Sequence, residues 1–250
     1  SFSHVSGYVS EVTPADVNKV NPRCPEKGLK MPGTLVGVSG LEMQYDCTLA
    51  GIDGEELIEV NTSGVKVRTL GTRQPIAGTD LATTIDFPLQ EAIPGFMVKT
   101  EFLDQPKGAI IVTDTKGEIM ALYSAPSFDP TNLVPSLNDP DQPFFDRAIA
   151  GTFHPGSVFK PVVATAALEE GKIDKDFRFN DLGTINVKTP YGDFSYSNWY
   201  FTQYGRTEGE IDLKKALARS TDTFFYKIGE MLGPDKMAQW AGKFGLSKKT

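Results

Sequence analysis

The chain has 250 residues, 40% of them hydrophobic and 23% charged, which is enough apolar material for a packed core in one or two domains. Its formal net charge is −7 and no Lys/Arg run breaks that balance, which excludes the footprint of a nucleic-acid binder. Two cysteines, Cys24 and Cys47, exclude a disulfide framework, and two histidines, His4 and His154, exclude a His-rich zinc site.

A single bridge between the cysteines stays open, but the expectation is two unpaired small hydrophobes. No stretch reaches the roughly 18 apolar residues of a membrane span, and no signal peptide opens the chain. The opening residues Ser1 to Val9 lack an initiator Met and read as the middle of a strand, and Phe244 to Thr250 carries no stop signal. The expectation is a fragment cut at both ends.

Residues 1 to about 100 read as short strands and turns. A strand is expected over Val5–Val9, a short helix start at Thr13–Val17, and a Pro/Gly-punctuated loop from Pro22 to Gly40. Ser39 to Gly51 reads as one helix stopped by Gly51. Leu57–Asn61 and Val65–Leu70 flank Thr62-Ser63-Gly64 in a hairpin pattern, and Ala82–Asp86 reads as another strand. Nothing in this half has the chemistry of a site, and it reads as scaffold.

Near residue 105 the texture changes. Gly108–Asp114 is a buried-strand run, Thr115-Lys116-Gly117 turns it, and Glu118–Ser124 returns. A lone two-stranded hairpin is marginal, so further strands or a helix must pack on it. Prolines at 126, 130, 135, 140 and 143 forbid regular structure up to Phe145.

Then comes Phe153-His154-Pro155-Gly156-Ser157-Val158-Phe159-Lys160-Pro161, followed by the uncharged helix-forming run Val162–Leu168. Residues three apart share a helix face, so the Ser157 hydroxyl and the Lys160 amine can meet. Pro161 fits only near a helix start, which puts the serine at or before the first turn, where amides are unpaired and the dipole is positive. A Ser-x-x-Lys tetrapeptide alone is common, and a serine before a helix is commonly just an N-cap. The flanking Pro-Gly and Pro and the apolar helix beyond make a narrower pattern. Burial of that helix is expected to favour a neutral Lys160 amine, as a general base requires.

Residues 172–209 are mixed, with an aromatic cluster from Tyr191 to Tyr204 that reads as packing. Ile211–Arg219 and Thr223–Gly233 read as helices separated by Ser220-Thr221-Asp222. Alone, this triplet is a cap at a helix junction. Paired with Ser157 and Lys160 it supplies a second hydroxyl that can pass a proton from nucleophile to leaving amine.

Ser157-x-x-Lys160 and Ser220-x-Asp222 resemble two of the three signatures of the penicilloyl-serine transferases, the third being Lys-Thr-Gly. Gly78–Asp86, Gly108–Asp114, Ala125–Pro130 and Asp146-Arg147-Ala148 look like class B penicillin-binding proteins, and Gly40–Gly51 is similar to their pedestal domain. The resemblance covers nearly the whole chain. Asp222, where asparagine is commoner, is similar to the elongation-type branch, penicillin-binding protein 2 in the broad sense. An ionised Asp222 accepts hydrogen bonds but cannot donate, so its contact with Lys160 is expected to be ionic.

The resemblance implies an α+β fold. A β-rich, dimerisation-type pedestal (1–103) is followed by the N-terminal half of a transpeptidase domain (104–250), an antiparallel sheet with a helical subdomain. It implies peptidoglycan D,D-transpeptidation, with Ser157 as nucleophile, Lys160 as base, Ser220 as relay and Asp222 as partner of Lys160. No metal or organic cofactor is implied. The implied partners are stem peptides, β-lactams and a membrane glycan polymerase, at the outer face of the bacterial inner membrane, with the anchor outside these residues. The alternatives are a β-lactam sensor, a non-catalytic cell-wall scaffold, and a serine β-lactamase or D,D-carboxypeptidase. The 250 residues contain no Lys-Thr-Gly, and Lys249-Thr250 resembles the loop after a helix, so this stretch alone is expected to be inactive.

Overall fold

Proline and glycine punctuation keeps the elements of the first hundred residues short. The computed structural model describes residues 2–98, 107–189, 192–246 and 248. The expected domain boundary at 103/104, Tyr191 and the terminal Lys249-Thr250 lie outside them. Packing divides the chain into two units, residues 1–152 and 153–250.

The first unit opens with helix α1 (Ser3–Ser6), not the strand expected over Val5–Val9. Gly7 ends it at φ 77, and a Cβ there would lie 1.8 Å from the Ser39 carbonyl oxygen, so only glycine lets the two backbones approach. Strands β1 (Val9–Glu11) and β2 (Leu35–Gly37) pair antiparallel, Val9 opposite Gly37. Thr13–Val17 stays a turn.

The single helix expected over Ser39–Gly51 is two pieces, α2 (Gly40–Gln44) and α3 (Asp46–Leu49), broken at Tyr45. The pull comes from their junction. Asp46 accepts from the Gly37 amide at 3.0 Å and the Asn21 amide group at 3.1 Å, and Cys47 is disulfide-bonded to Cys24. The two Cα atoms lie 5.7 Å apart, well within bridging range. The expectation of unpaired cysteines is therefore corrected: tertiary packing of the Pro22–Gly40 loop against α3 brings them together, which spacing along the chain cannot show.

Strands β3 (Glu55–Val60) and β4 (Lys66–Arg73) form the expected hairpin, Glu55 opposite Arg73. Asn61 Oδ1 accepts from the amides of Ser63 and Val65, which closes the turn. Ala82–Asp86 joins no ladder, contrary to expectation. It meets the returning strand through Thr84 Oγ1 to the Ile119 carbonyl and the Asp86 amide to the Met120 carbonyl. Helix α4 (Phe87–Val98) follows.

Strands β5 (Gly108–Thr113) and β6 (Ile119–Ala125) pair antiparallel, Gly108 opposite Ala125. The covering layer is α4. Its buried Gln90 donates to the Leu122 carbonyl at 2.8 Å and accepts from the Leu122 amide at 2.9 Å. One side-chain amide thus serves the edge of β6 as a neighbouring strand would. The proline-rich stretch behind it holds only a short 3-10 turn, Val134–Ser136.

In the second unit a 3-10 turn (Gly156–Phe159) runs into α5 (Lys160–Glu169). Strand β7 (Arg178–Asp181), the hairpin β8 (Thr184–Thr189) and β9 (Gly192–Ser197), and helix α6 (Trp199–Tyr204) follow. Strand β10 (Gly209–Asp212) pairs antiparallel with β7, which claims Ile211 and Asp212 from the expected helix. Helices α7 (Leu213–Arg219), α8 (Asp222–Leu232) and α9 (Pro234–Lys243) complete the unit. Val163, Ala164, Ala166 and Ala167 of α5 pack on Phe224, Phe225, Ile228 and Leu232 of α8 in one contiguous core. Alanine on α5 lets the two helices come close while the aromatics of α8 fill the gap.

Candidate active site

The core fixes α5 against α8, and the polar residues at their N-termini meet in consequence. Ser157 lies exposed in the 3-10 turn ahead of α5, and Lys160 opens the helix. Ser220 caps the C-terminus of α7 in the left-handed region, φ 53 and ψ 44. That conformation costs a non-glycine residue roughly 1–3 kcal/mol. It is held by the Ser220 amide bonding to the Leu217 carbonyl and the Thr221 amide to the Ala216 carbonyl. The turn aims both the carbonyl and the hydroxyl of Ser220 at Lys160.

Lys160 Nζ donates to the Ser220 carbonyl at 2.8 Å, to Ser220 Oγ at 2.9 Å and to Asp222 Oδ1 at 2.6 Å. Those are the three donors an ammonium has. Ser220 Oγ in turn donates to Ser157 Oγ at 2.9 Å. Ser157 and Lys160 therefore communicate through Ser220, and among the described residues they share no direct hydrogen bond. The apolar surround expected for Lys160 is present on one side only, where the Phe225 ring centroid lies 5.3 Å from Nζ; on the other side is the ionic contact with Asp222.

Asp222 is the first residue of α8, where a carboxylate is favoured by the helix dipole. Its second oxygen accepts from the Trp199 amide at 3.1 Å, and its own amide donates to Asn198 Oδ1 at 3.1 Å. Trp199 Nε1 donates to the Arg219 carbonyl, tying α6 to the end of α7. Behind Lys160 lies an apolar cavity of about 560 Å³ lined by Phe159, Val163, Val187, Tyr196, Phe225 and Met237. It is lined by neither Ser157 nor Ser220.

The four residues expected from sequence thus converge. Sequence reasoning passed over Asn198, Trp199 and Phe225, which hold Asp222 and flank Lys160. It also passed over Asp181, whose signal was available: Asp181-Leu182-Gly183 is a turn pattern between two strands.

Two family profiles match. The penicillin-binding protein transpeptidase domain covers residues 108–250, and the penicillin-binding protein dimerisation domain covers residues 1–83. The chain belongs to the penicillin-binding protein transpeptidase family, in the class B arrangement of a dimerisation domain followed by part of a transpeptidase domain. Within it the chain is of the penicillin-binding protein 2 type. It is 32% identical to the peptidoglycan D,D-transpeptidase MrdA of Acinetobacter baumannii and 33% identical to that of Escherichia coli K12, in each case over its whole length. It spans 36% and 39% of those proteins. Its fold matches penicillin-binding protein 2 of Pseudomonas aeruginosa with a TM-score of 0.73 and 27% identity, over 99% of this chain and 49% of that one. It also matches penicillin-binding protein 2 of Helicobacter pylori, solved in complex with MreC, with a TM-score of 0.74 and 24% identity, over 98% of this chain and 44% of that one.

Proposed function

We propose that Ser157 is the nucleophile of a peptidoglycan D,D-transpeptidase. The observation that carries this reading is the unbroken chain Ser157 Oγ, Ser220 Oγ, Lys160 Nζ, each link 2.9 Å. Lys160 first gives up a proton to solvent, and the two hydroxyls turn so that Ser157 Oγ donates to Ser220 Oγ and Ser220 Oγ to the free amine. The Ser157 proton then passes to Ser220 Oγ while the Ser220 proton passes to the free amine. Ser157 Oγ bonds to the penultimate D-Ala carbonyl carbon of a stem peptide, and the terminal D-Ala leaves with a proton returned along the same chain. An amine from a neighbouring stem then attacks the ester and releases Ser157. The Ser157 amide is one oxyanion donor. β-Lactams mimic the D-Ala-D-Ala end and are trapped on the same oxygen. Asp222 orients Lys160 throughout.

The dimerisation-domain match over residues 1–83 weighs against a β-lactamase or carboxypeptidase. The site is proposed to face the outside of the inner membrane. A disulfide fits that oxidising compartment, and among the described residues no helix is long and apolar enough to cross a membrane. A glycan-polymerising membrane partner of the elongation machinery is proposed alongside; the Helicobacter pylori relative is held in complex with MreC.

In the family the Lys-Thr-Gly strand supplies a second oxyanion amide and a lysine for the substrate carboxylate. The 250 residues without it are proposed to be inactive, because losing one oxyanion donor costs about 10² to 10³ in rate. The test is peptide mapping of this chain, and of a chain extended through that motif, after treatment with a labelled penicillin. Label on Ser157, acquired faster in the extended chain, is expected. Label on Ser220, or label surviving Ser157→Ala, overturns the assignment, and equal rates overturn the need for the strand.

A further inference from the structure

Asp181 ends β7 with no solvent exposure, and both its carboxylate oxygens are filled. Oδ1 accepts from the Gly183 amide at 3.0 Å and from Thr223 Oγ1 at 2.7 Å. Oδ2 accepts from Asn198 Nδ2 at 3.1 Å and from the Glu208 amide at 2.8 Å. Among the described residues no lysine or arginine forms an ion pair with it. Burial pushes its carboxyl up, but the four hydrogen bonds outweigh that and hold it below the usual carboxylate range. A buried carboxylate is a costly way to brace a turn unless its donors must be held in place.

The donors divide into two pairs. The Gly183 and Glu208 amides belong to the turn after β7 and the segment before β10, and they fix Asp181 itself. Gly183 sits at φ 86 with the Phe201 ring where a Cβ would stand, so that turn cannot slide. The other two donors, Thr223 and Asn198, are fully buried side chains from two different helix entries. Thr223 follows Asp222 on α8, and Asn198 takes the Asp222 amide on its own Oδ1. The residue after Asn198 donates its amide to Asp222 Oδ2. Asp222 is therefore held at its backbone, at its side chain and at its next neighbour, and two of those holds lead to one carboxylate.

We propose that Asp181 is a positioning residue for acyl transfer: through Asn198 and Thr223 it sets where Asp222, and so Lys160 and the Ser220 hydroxyl, stand relative to Ser157. This rests on the reading of Ser157 as nucleophile. Asp181 touches neither substrate nor any reacting atom. A displacement on the order of 1 Å in such a constellation costs about 10²-fold in rate.

The experiment uses the full-length protein and a labelled penicillin, with the limiting acylation rate constant, the half-saturating concentration and the final labelling stoichiometry read separately. In Asp181→Asn the limiting rate constant is expected to fall about 10²-fold, with half-saturation unchanged and labelling complete. Thr223→Val is expected to lower the same constant by a smaller factor, and Thr223→Ser, which keeps the donor, to restore it. A lower melting temperature with wild-type rate constants in Asp181→Asn and Thr223→Val makes Asp181 merely structural and overturns the proposal. So does an effect confined to half-saturation. Should Asp181→Asn fail to fold, equal rate constants in Thr223→Val and Thr223→Ser decide against it. An unlabelled wild-type protein would instead sink the nucleophile reading, an outcome distinct from a labelled wild type with unaffected variants.

Discussion

The β3–β4 hairpin and the α5–α8 helix pair answer the same problem, two elements held side by side, in opposite ways. In the hairpin, thirteen of the fourteen strand residues are exposed, Leu57 at 65% and Val67 at 59%, and order comes from backbone ladders and rim ion pairs such as Arg68–Glu59. In the helix pair Phe224 and Ile228 have no exposure at all, and the polar residues at the helix entries are fixed by the apolar contact below them. A ladder sets register, whereas interdigitated side chains fix position closely enough for a proton relay. That is why the proposed chemistry falls on the second arrangement.

The largest effect that would break this contrast is on catalysis. Lys160→Arg keeps a cation beside Asp222 but cannot give up a proton. Penicillin acylation of the full-length protein is expected to vanish while circular dichroism stays unchanged; near-normal labelling would reduce Lys160 to a structural cation. Next is Phe224→Ala, a fully buried aromatic, expected to cost about 3–5 kcal/mol in denaturant unfolding and to slow acylation as well. If stability fell with acylation intact, the relay would not depend on the core.

Replacing Cys24 and Cys47 together by serine is expected to cost about 2–4 kcal/mol in the first unit and to leave acylation unchanged. A matching loss of acylation would show the two units to be one cooperative body. A smaller effect is acid sensitivity. Asp181 is held below its ordinary value of 3.8, so its contribution is complete above that pH and is lost as the pH falls through the folded value. Thermal unfolding below pH 3.8 should show this limb in the wild type and not in Asp181→Asn. The smallest belongs to the hairpin: Leu57→Thr or Val67→Thr is expected to stay within about 0.5 kcal/mol by the same measurement, and a larger loss would mean that something covers that face.

Sequence reading located Ser157, Lys160, Ser220 and Asp222 because spacing, proline and glycine constrain local backbone strongly. It also found the two hairpins, expected over 57–70 and 108–124 and observed over 55–73 and 108–125, where turn residues and alternation agree. It erred where tertiary contacts override local preference. Gly7 turns the chain because another backbone crosses it, Tyr45 breaks a helix because Asp46 and Cys47 are held elsewhere, and Ala82–Asp86 joins no ladder. The turn at Asp181-Leu182-Gly183 was legible, but the roles of Asp181 and Asn198 were not, for a related reason. Their meaning lies in which donors reach them, and those donors sit up to 42 residues away in sequence.

The left-handed backbone of Ser220 narrows what selection can do at this position. Glycine alone would relax φ 53, and glycine removes the hydroxyl outright. Threonine keeps a hydroxyl but brings a branched Cβ into a region where it is a steric outlier. Asparagine and aspartate tolerate the geometry but carry no hydroxyl to stand between Lys160 and Ser157. The viable alphabet at 220 is thus close to one letter. On the proposed reading, β-lactam pressure on this site is channelled away from Ser220 toward residues that adjust it from outside, so resistance surveys should look at the neighbours of the triplet before the triplet itself.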